Sequence, residues 1–403
     1  MLIQFTCSNY RSIKEPVVFS MAASKDDSIK GSLISFGKGR YLRVAEVYGA
    51  NGSGKTSLLD ALLLMYRIVL TSNTVQPGFP ILRYPHKLSK KKEPTLFAVI
   101  FEKNGVKYSY GFSYNEDGIV DEYLHYWPGV KRAVIFERTS FMDYQFADSF
   151  KKAGDNCKGR IKPNKLLLSC AANETDIPQV SAAFMFFLEN LLFFRESESL
   201  FNYSMHQLKN SPQMKAKFLR FMRSIGCDLV DIKIKDGQQI LVDDAVSITT
   251  TPQMMQNTIG YELKLVYKNF EVDYREESSG VKKLFQFICP MMDVLTNNRV
   301  LVCDEIEAHL HPSIVAEIIK RFCQNRDSSS QLITATHDSD LLDLNEVRRD
   351  QIWFTELNPK TRSTDLYSLA ELKNVRKDEN IKKGYILGRY GAIPMLNSNF
   401  REK

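Results

Sequence analysis

The segment Gly49-Ala50-Asn51-Gly52-Ser53-Gly54-Lys55-Thr56 sets three glycines ahead of a lysine and a hydroxyl in the spacing GxxxxGK[ST]. A loop of this composition can turn successive backbone N–H groups onto a polyphosphate. The lysine then neutralises the outer phosphates, and the threonine hydroxyl is placed to ligate Mg²⁺. A glycine-rich turn that merely caps a helix would share part of this pattern, but the apolar run before it and the helical stripe after it favour the phosphate reading. ATP and Mg²⁺ are therefore the expected ligands, with Asn51, Gly52, Ser53, Gly54, Lys55, Thr56 and Ser57 around the phosphates. Far downstream, Arg299-Val-Leu-Val-Cys-Asp304-Glu305 is an apolar strand ending in adjacent carboxylates. Asp304 is placed to hold Mg²⁺ through water, as Thr56 does directly, and Glu305 to act as the general base that polarises an attacking water. A third apolar run, Leu332-Ile-Thr-Ala-Thr, delivers His337 at its end.

The elements that must carry these groups are legible nearby. Leu2 to Phe5, Val17 to Met21 and Val44 to Tyr48 are short apolar runs with polar or glycine-bearing flanks, as strands are. From Lys55, the residues Leu58, Leu59, Leu62, Leu63, Tyr66, Val69 and Leu70 recur at helical spacing until Thr71-Ser72-Asn73. Thr95 to Glu102 and Val106 to Tyr114 flank Asn104-Gly105 and predict a hairpin within an antiparallel β lobe over 95–137. Residues 178–225 have a helical pattern, and Ser181 to Phe194, interrupted by Glu189 and Asn190, reads as a buried helix too short for a membrane span. Strand character returns in Leu229 to Val242 and Tyr261 to Tyr267. Val300 to Cys303 and Leu332 to Thr336 are continuous apolar or β-branched runs suited to a parallel sheet covered on both faces. Between them a stripe of Ile314, Val315, Ile318, Ile319 and Phe322 follows Pro312, a residue suited to a first helical turn.

Composition narrows the class. With 403 residues, 44% hydrophobic and 25% charged, the chain can bury a large core and is not disordered. Its net charge of +7 permits contact with nucleic acid without requiring it. The cysteines form no CxxC pair and several lie in apolar runs, which fits a reducing cytoplasm, and residues 1–10 do not have the form of a signal peptide. The expected organisation is a phosphate-loop and β-lobe segment over 1–140, a largely helical insertion over 141–260, and a segment with the carboxylate and histidine strands and a basic tail over 261–403.

The order of phosphate loop, long interval, carboxylate strand and histidine resembles the ABC/SMC/RecF class of ATPases. Glu277-Ser278-Ser279-Gly280-Val281-Lys282-Lys283 resembles a shortened form of that class's signature loop, with Ser279 and Val281 departing from its usual pattern. The resemblance implies an α/β fold, an ABC-type P-loop ATPase head with a mixed or parallel central sheet, whose N- and C-terminal halves are the segments 1–140 and 261–403. It also implies that Ser278 and Gly280 cap the γ-phosphate of a nucleotide held by an opposite copy, so that heads pair as a homodimer or within a higher homo-oligomer. In the same class His337 matches the switch histidine, and His309 and His311 fall in the loop that communicates between paired sites rather than forming a metal centre. The opening Phe5-Thr-Cys-Ser-Asn9-Tyr10-Arg11-Ser12-Ile13 resembles the start of RecF- and OLD-like ATPases. The motifs together, with the tail Gly388-Arg-Tyr-Gly-Ala-Ile-Pro394, resemble compact prokaryotic ATPases of abortive-infection and phage-defence operons, of the AbiL/RloA type and the AriA subunit of PARIS. That resemblance implies a sensor or scaffold controlling a separate effector, a Toprim-type nuclease. The alternative is a RecF-like DNA-binding ATPase of repair or recombination, using Lys87, Lys90, Lys91 and Lys92, or Lys215, Lys217, Arg220 and Arg223, on phosphates. A transporter's ATPase subunit is disfavoured by the unlike insertion and tail, and no membrane partner is expected.

Overall fold

The computed structural model describes residues 1–26, 29, 32–140, 142–157, 159–239, 259–373, 375–376 and 379–394. Its centre is a six-stranded sheet in the order Leu191–Phe194, Val300–Cys303, Gln331–Ala335, Val44–Tyr48, Ile352–Leu357, Thr364–Ser368. The first five run parallel, and Thr364–Ser368 closes the edge antiparallel. Adjacent residues of these strands point to opposite sides, and both sides are covered. Ala45, Val47, Val300, Val302, Ile333 and Ala335 join one core, while Val44, Tyr48, Leu301, Cys303 and Leu332 join the other. Two covered faces are why these strands are unbroken apolar runs rather than alternating ones.

On the first face lies the helix Lys55–Thr71, and beyond it a seven-stranded sheet containing the hairpin of Thr95–Lys103 and Val106–Asn115 together with Leu2–Ser8 and Val17–Ser20. Every second residue of the hairpin, Phe97, Val99, Phe101, Tyr108, Tyr110, Phe112 and Tyr114, is buried toward that helix. Each such side chain contributes about 1.5–3 kcal/mol on leaving water. The helix is pressed between two sheets and is buried nearly all round from Leu58 to Val69. On the second face pack Glu198–Asn210, Pro212–Ser224, Ser279–Thr296 and Pro312–Gln324, the last with its proline in the first turn. At one end Gln331, fully buried, stitches the sheets together. Its Oε1 accepts from the Leu2 amide at 2.7 Å, and its Nε2 donates to the carbonyls of Leu2 (3.0 Å) and Leu42 (2.9 Å).

The structure corrects the reading of Ser181 to Phe194 as one helix. Pro178–Met185 is helical, Phe186–Asn190 widens into a single π turn, and Leu191–Phe194 extends as a strand paired in register with Val300–Cys303. A four-residue apolar run fits a buried helix or a buried strand equally, and only the partner strand decides between them. The stretch 141–260 thus contributes a strand to the central sheet. The strand reading of Leu229 to Val242 and Tyr261 to Tyr267 meets Asp231–Gln239 and Ile259–Val266, paired antiparallel, with Val242 outside the described residues.

One buried acid follows from this packing. Glu46, on the strand leading into the phosphate loop, is 0% exposed, receives the Tyr48 hydroxyl at 2.5 Å, and keeps Oε1 without a partner. Burial pushes its carboxyl up to about 7, with nearby Asp338 adding and the Tyr48 bond opposing. The raised acid prefers to be protonated in the fold. Stability is therefore fully present below the ordinary carboxyl range and is lost as pH rises through about 7. Glu46→Gln should melt with wild type at pH 5 and several degrees above it at pH 8. A difference in melting temperature independent of pH would refute this.

Candidate functional site

The parallel strands end along one edge, where α/β sheets bind ligands. Register places Ala335 beside Val47 and Cys303 beside Thr334, so the loops beginning at Gly49, Asp304 and Thr336 open side by side. Gly54 stands at the N-cap of the helix Lys55–Thr71 with φ of 115°, and a Cβ there would run into the Thr364 side chain. Thr364 Oγ1 lies 2.8 Å from the Ser53 carbonyl and 2.8 Å from the Ser12 hydroxyl, which in turn lies 3.0 Å from Ser57 Oγ. The Ser53 and Thr355 hydroxyls are 2.7 Å apart. Two strands from late in the chain therefore buttress the phosphate loop, a support with no local signal in the motif.

Lys55 is 4% exposed, and its Nζ donates to the carbonyls of Gly49 (2.7 Å) and Ala50 (3.2 Å) and lies 3.4 Å from His337 Nδ1. Burial lowers its pKa, while Asp304, Glu307 and Glu305 oppose that shift. Asp304 is pushed the other way. Burial raises its carboxyl, with Glu305 and Asp60 adding and the Thr56 hydroxyl and Lys55 opposing. Its Oδ1 is buried without a hydrogen-bond partner, as is Oε2 of Glu307. A buried, unpartnered carboxylate oxygen beside a threonine hydroxyl and close to other acids is short of positive charge, and these hard oxygen donors fit Mg²⁺. Across the described residues, no cluster of three or more His, Cys, Asp or Glu side chains could hold a metal, so most of such a shell would be water and nucleotide oxygens.

Glu305 is exposed at the mouth of this site with φ of 49°, a left-handed conformation that is costly for a residue with a side chain. Glu307 joins this site, although the motif reading did not single it out. Its Oε1 accepts the His337 amide at 2.6 Å, tying the loop after the carboxylate strand to the histidine loop. The available signal was a further carboxylate in the run Asp304-Glu-Ile-Glu307. Also missed was Asp60, one helical turn beyond Thr56, which pairs with both Arg11 and Arg195. Arg195 directly follows the strand Leu191–Phe194.

Ser278 and Gly280 lie at the start of the helix Ser279–Thr296. Among the described residues no hydrogen bond joins them to the phosphate loop. Ser278 caps the helix Ser279–Thr296 by accepting from the Val281 amide at 3.3 Å, and its surface is exposed. His309 is exposed with φ of 61°, and His311 caps the helix Pro312–Gln324 by accepting from the Ser313 amide at 3.2 Å. The basic clusters carry acidic partners, since Lys91 pairs with Glu116, Lys92 with Asp117 and Lys215 with Asp231.

A parallel sheet with a phosphate loop, a carboxylate strand and a histidine strand side by side, faced by an antiparallel sheet, defines an ATPase head of the P-loop class. The chain belongs to the family described as AAA domain, putative AbiEii toxin, Type IV TA system, which it matches over residues 45–156 and 232–343, more than half its length. Among solved structures it is similar to an SMC head domain from Thermotoga maritima, at 11% identity and a TM-score of 0.41, over 91% of this chain and 98% of that one. It is also similar to an Smc head domain with an extended coiled coil bound to the C-terminal domain of ScpA, derived from Pyrococcus furiosus, at 12% identity and 0.42, over 96% and 98% of the two chains. No curated protein matches. No helix among the described residues is long and apolar enough to cross a membrane.

Proposed function

We propose that the chain is a Mg²⁺-dependent ATPase whose heads pair face to face on ATP, and that this pairing controls a separate effector in antiviral defence. The observation that carries the reading is the division of the site. Lys55, Thr56, Asp304, Glu305 and His337 gather at one sheet edge, whereas the exposed Ser278 and half-buried Gly280 open the helix Ser279–Thr296 with no hydrogen bond to the phosphate loop among the described residues. A helix N-terminus attracts phosphate, and its natural occupant is the nucleotide of a second copy. In each pocket Lys55 would leave the Gly49 and Ala50 carbonyls for the outer phosphates. Glu305 would take the proton of the attacking water, and His337, held by Glu307, would orient toward the γ-phosphate. Mg²⁺, held by Thr56 and Asp304, would neutralise charge on the β- and γ-phosphates.

The defence role rests on the family's description, which names a putative toxin of a toxin–antitoxin system, and on the resemblance to abortive-infection ATPases. The effector, a Toprim-type nuclease in another chain, the cytoplasmic location and the homo-oligomer follow from the same resemblance. Light scattering on the Glu305→Gln chain should show dimers or larger assemblies with MgATP and none with Lys55→Ala. Self-association indifferent to ATP would overturn the pairing. DNA binding that tightens with ATP and weakens with salt would move the assignment to a RecF-like repair ATPase.

A further inference from the structure

The loop from Glu305 to His311 is held by the first two turns of the helix Ser279–Thr296 at two points. Lys283, 2% exposed, donates its Nζ to the carbonyls of Glu305 (3.1 Å), Ile306 (3.1 Å) and Ala308 (2.8 Å). These bonds use all the donors an ammonium has, and no ion pair joins Lys283 to a carboxylate among the described residues. A buried ammonium is tolerated when its hydrogen bonds are satisfied, and here the satisfying groups are the backbone of one loop. One turn earlier, a Cβ on Gly280 would stand 2.6 Å from the His309 carbonyl oxygen, so only glycine allows the helix to sit this close. The loop so held contains Glu305 and His309, both with left-handed φ, conformations that persist only when the surroundings over-determine them.

We propose that Lys283 is a positioning residue that couples the two halves of the pairing. Through the carbonyls of Glu305, Ile306 and Ala308 it makes the general base and the Ser278–Gly280 turn move as one body. Docking of that turn on a partner's nucleotide then sets Glu305 over the chain's own nucleotide. This rests on the ATPase reading above and adds to it a direction of communication, from the face a partner meets to the base within the same chain. The cation acts through the backbone and touches no reacting atom.

Lys283→Met keeps the aliphatic stem and removes the donors. Its ATP affinity should stay within about threefold of wild type and its KM should be unchanged, while kcat falls at least about 30-fold. Added to Glu305→Gln, it should alter the residual rate less than about twofold, because a residue that acts only through Glu305 has nothing further to lose. Retention of kcat, or an equal factor lost in both backgrounds, overturns the proposal. If instead wild type fails to hydrolyse ATP, or Glu305→Gln hydrolyses it fully, the ATPase reading itself fails. A second measurement depends on neither turnover nor the folding of Lys283→Met. In the Glu305→Gln chain with MgATP, amide hydrogen exchange should slow together in 279–285 and 305–310. Adding Ser278→Arg, which blocks docking, should release both. Protection of 305–310 that survives Ser278→Arg overturns the coupling.

Discussion

Glu305→Gln is expected to bind ATP within about threefold of wild type and to lose turnover by roughly 10²–10⁴-fold, the usual contribution of a positioned general base. The amide matches the carboxylate in shape and keeps the left-handed backbone that the Lys283 contacts support, but it cannot accept a proton from water. Lys55→Ala should behave in the opposite way. Removing the one cation that the loop folds around should weaken ATP binding by at least about 30-fold, the cost of leaving charged phosphates unpaired. Equilibrium binding of a fluorescent ATP analogue and steady-state phosphate release separate the two variants. Full hydrolysis by Glu305→Gln would remove Glu305 as the base and direct attention to Glu307, whose buried Oε2 has no hydrogen-bond partner.

Mixing two dead chains should restore activity. Lys55→Ala destroys the phosphate loop, and Ser278→Arg fills the exposed helix N-terminus with a bulky cation, so neither variant alone has a working site. In a mixed dimer one pocket pairs the intact loop of one chain with the intact signature turn of the other. Because neither variant pairs with itself on ATP, dimers formed at equal mixing are mixed, each with one good site of two, so at most about half of the wild-type rate should return if the sites act independently. Phosphate release measured across mixing ratios should peak at equal amounts. A rate that stays at zero, with both variants shown to fold and Ser278→Arg shown to bind ATP, would mean that the pocket is not shared between chains.

Much of the head was legible because its parts are local. The helix expected from Lys55 to about Thr71 is observed over Lys55–Thr71, and the hairpin around Asn104-Gly105 pairs Lys103 with Val106. In both cases the residues that set the backbone are contiguous with the element they set. The signature segment was more ambiguous, since a helix cap and a phosphate-capping turn use the same serine. The structure shows the cap at Ser278 and is compatible with either use. The helical reading of Ser181 to Phe194 failed for the complementary reason, because Leu191–Phe194 gains its strand hydrogen bonds from residues more than a hundred positions away.

From its sequence alone this chain determines which groups can do chemistry: a glycine-rich loop ending in Lys55 and Thr56, the adjacent acids Asp304 and Glu305, and His337 at the end of an apolar run. Residue type and short spacing fix a group's chemistry and its local backbone, and these survive being read one segment at a time. The tertiary structure alone decided what holds those groups in place: Thr355 and Thr364 under the phosphate loop, Glu307 on the His337 amide, Asp60 between Arg11 and Arg195, and Lys283 on the carbonyls behind Glu305. Most of these contacts join residues far apart in the chain, where the closing of long loops and the packing of a sheet's two faces, rather than neighbouring residue types, determine which atoms meet.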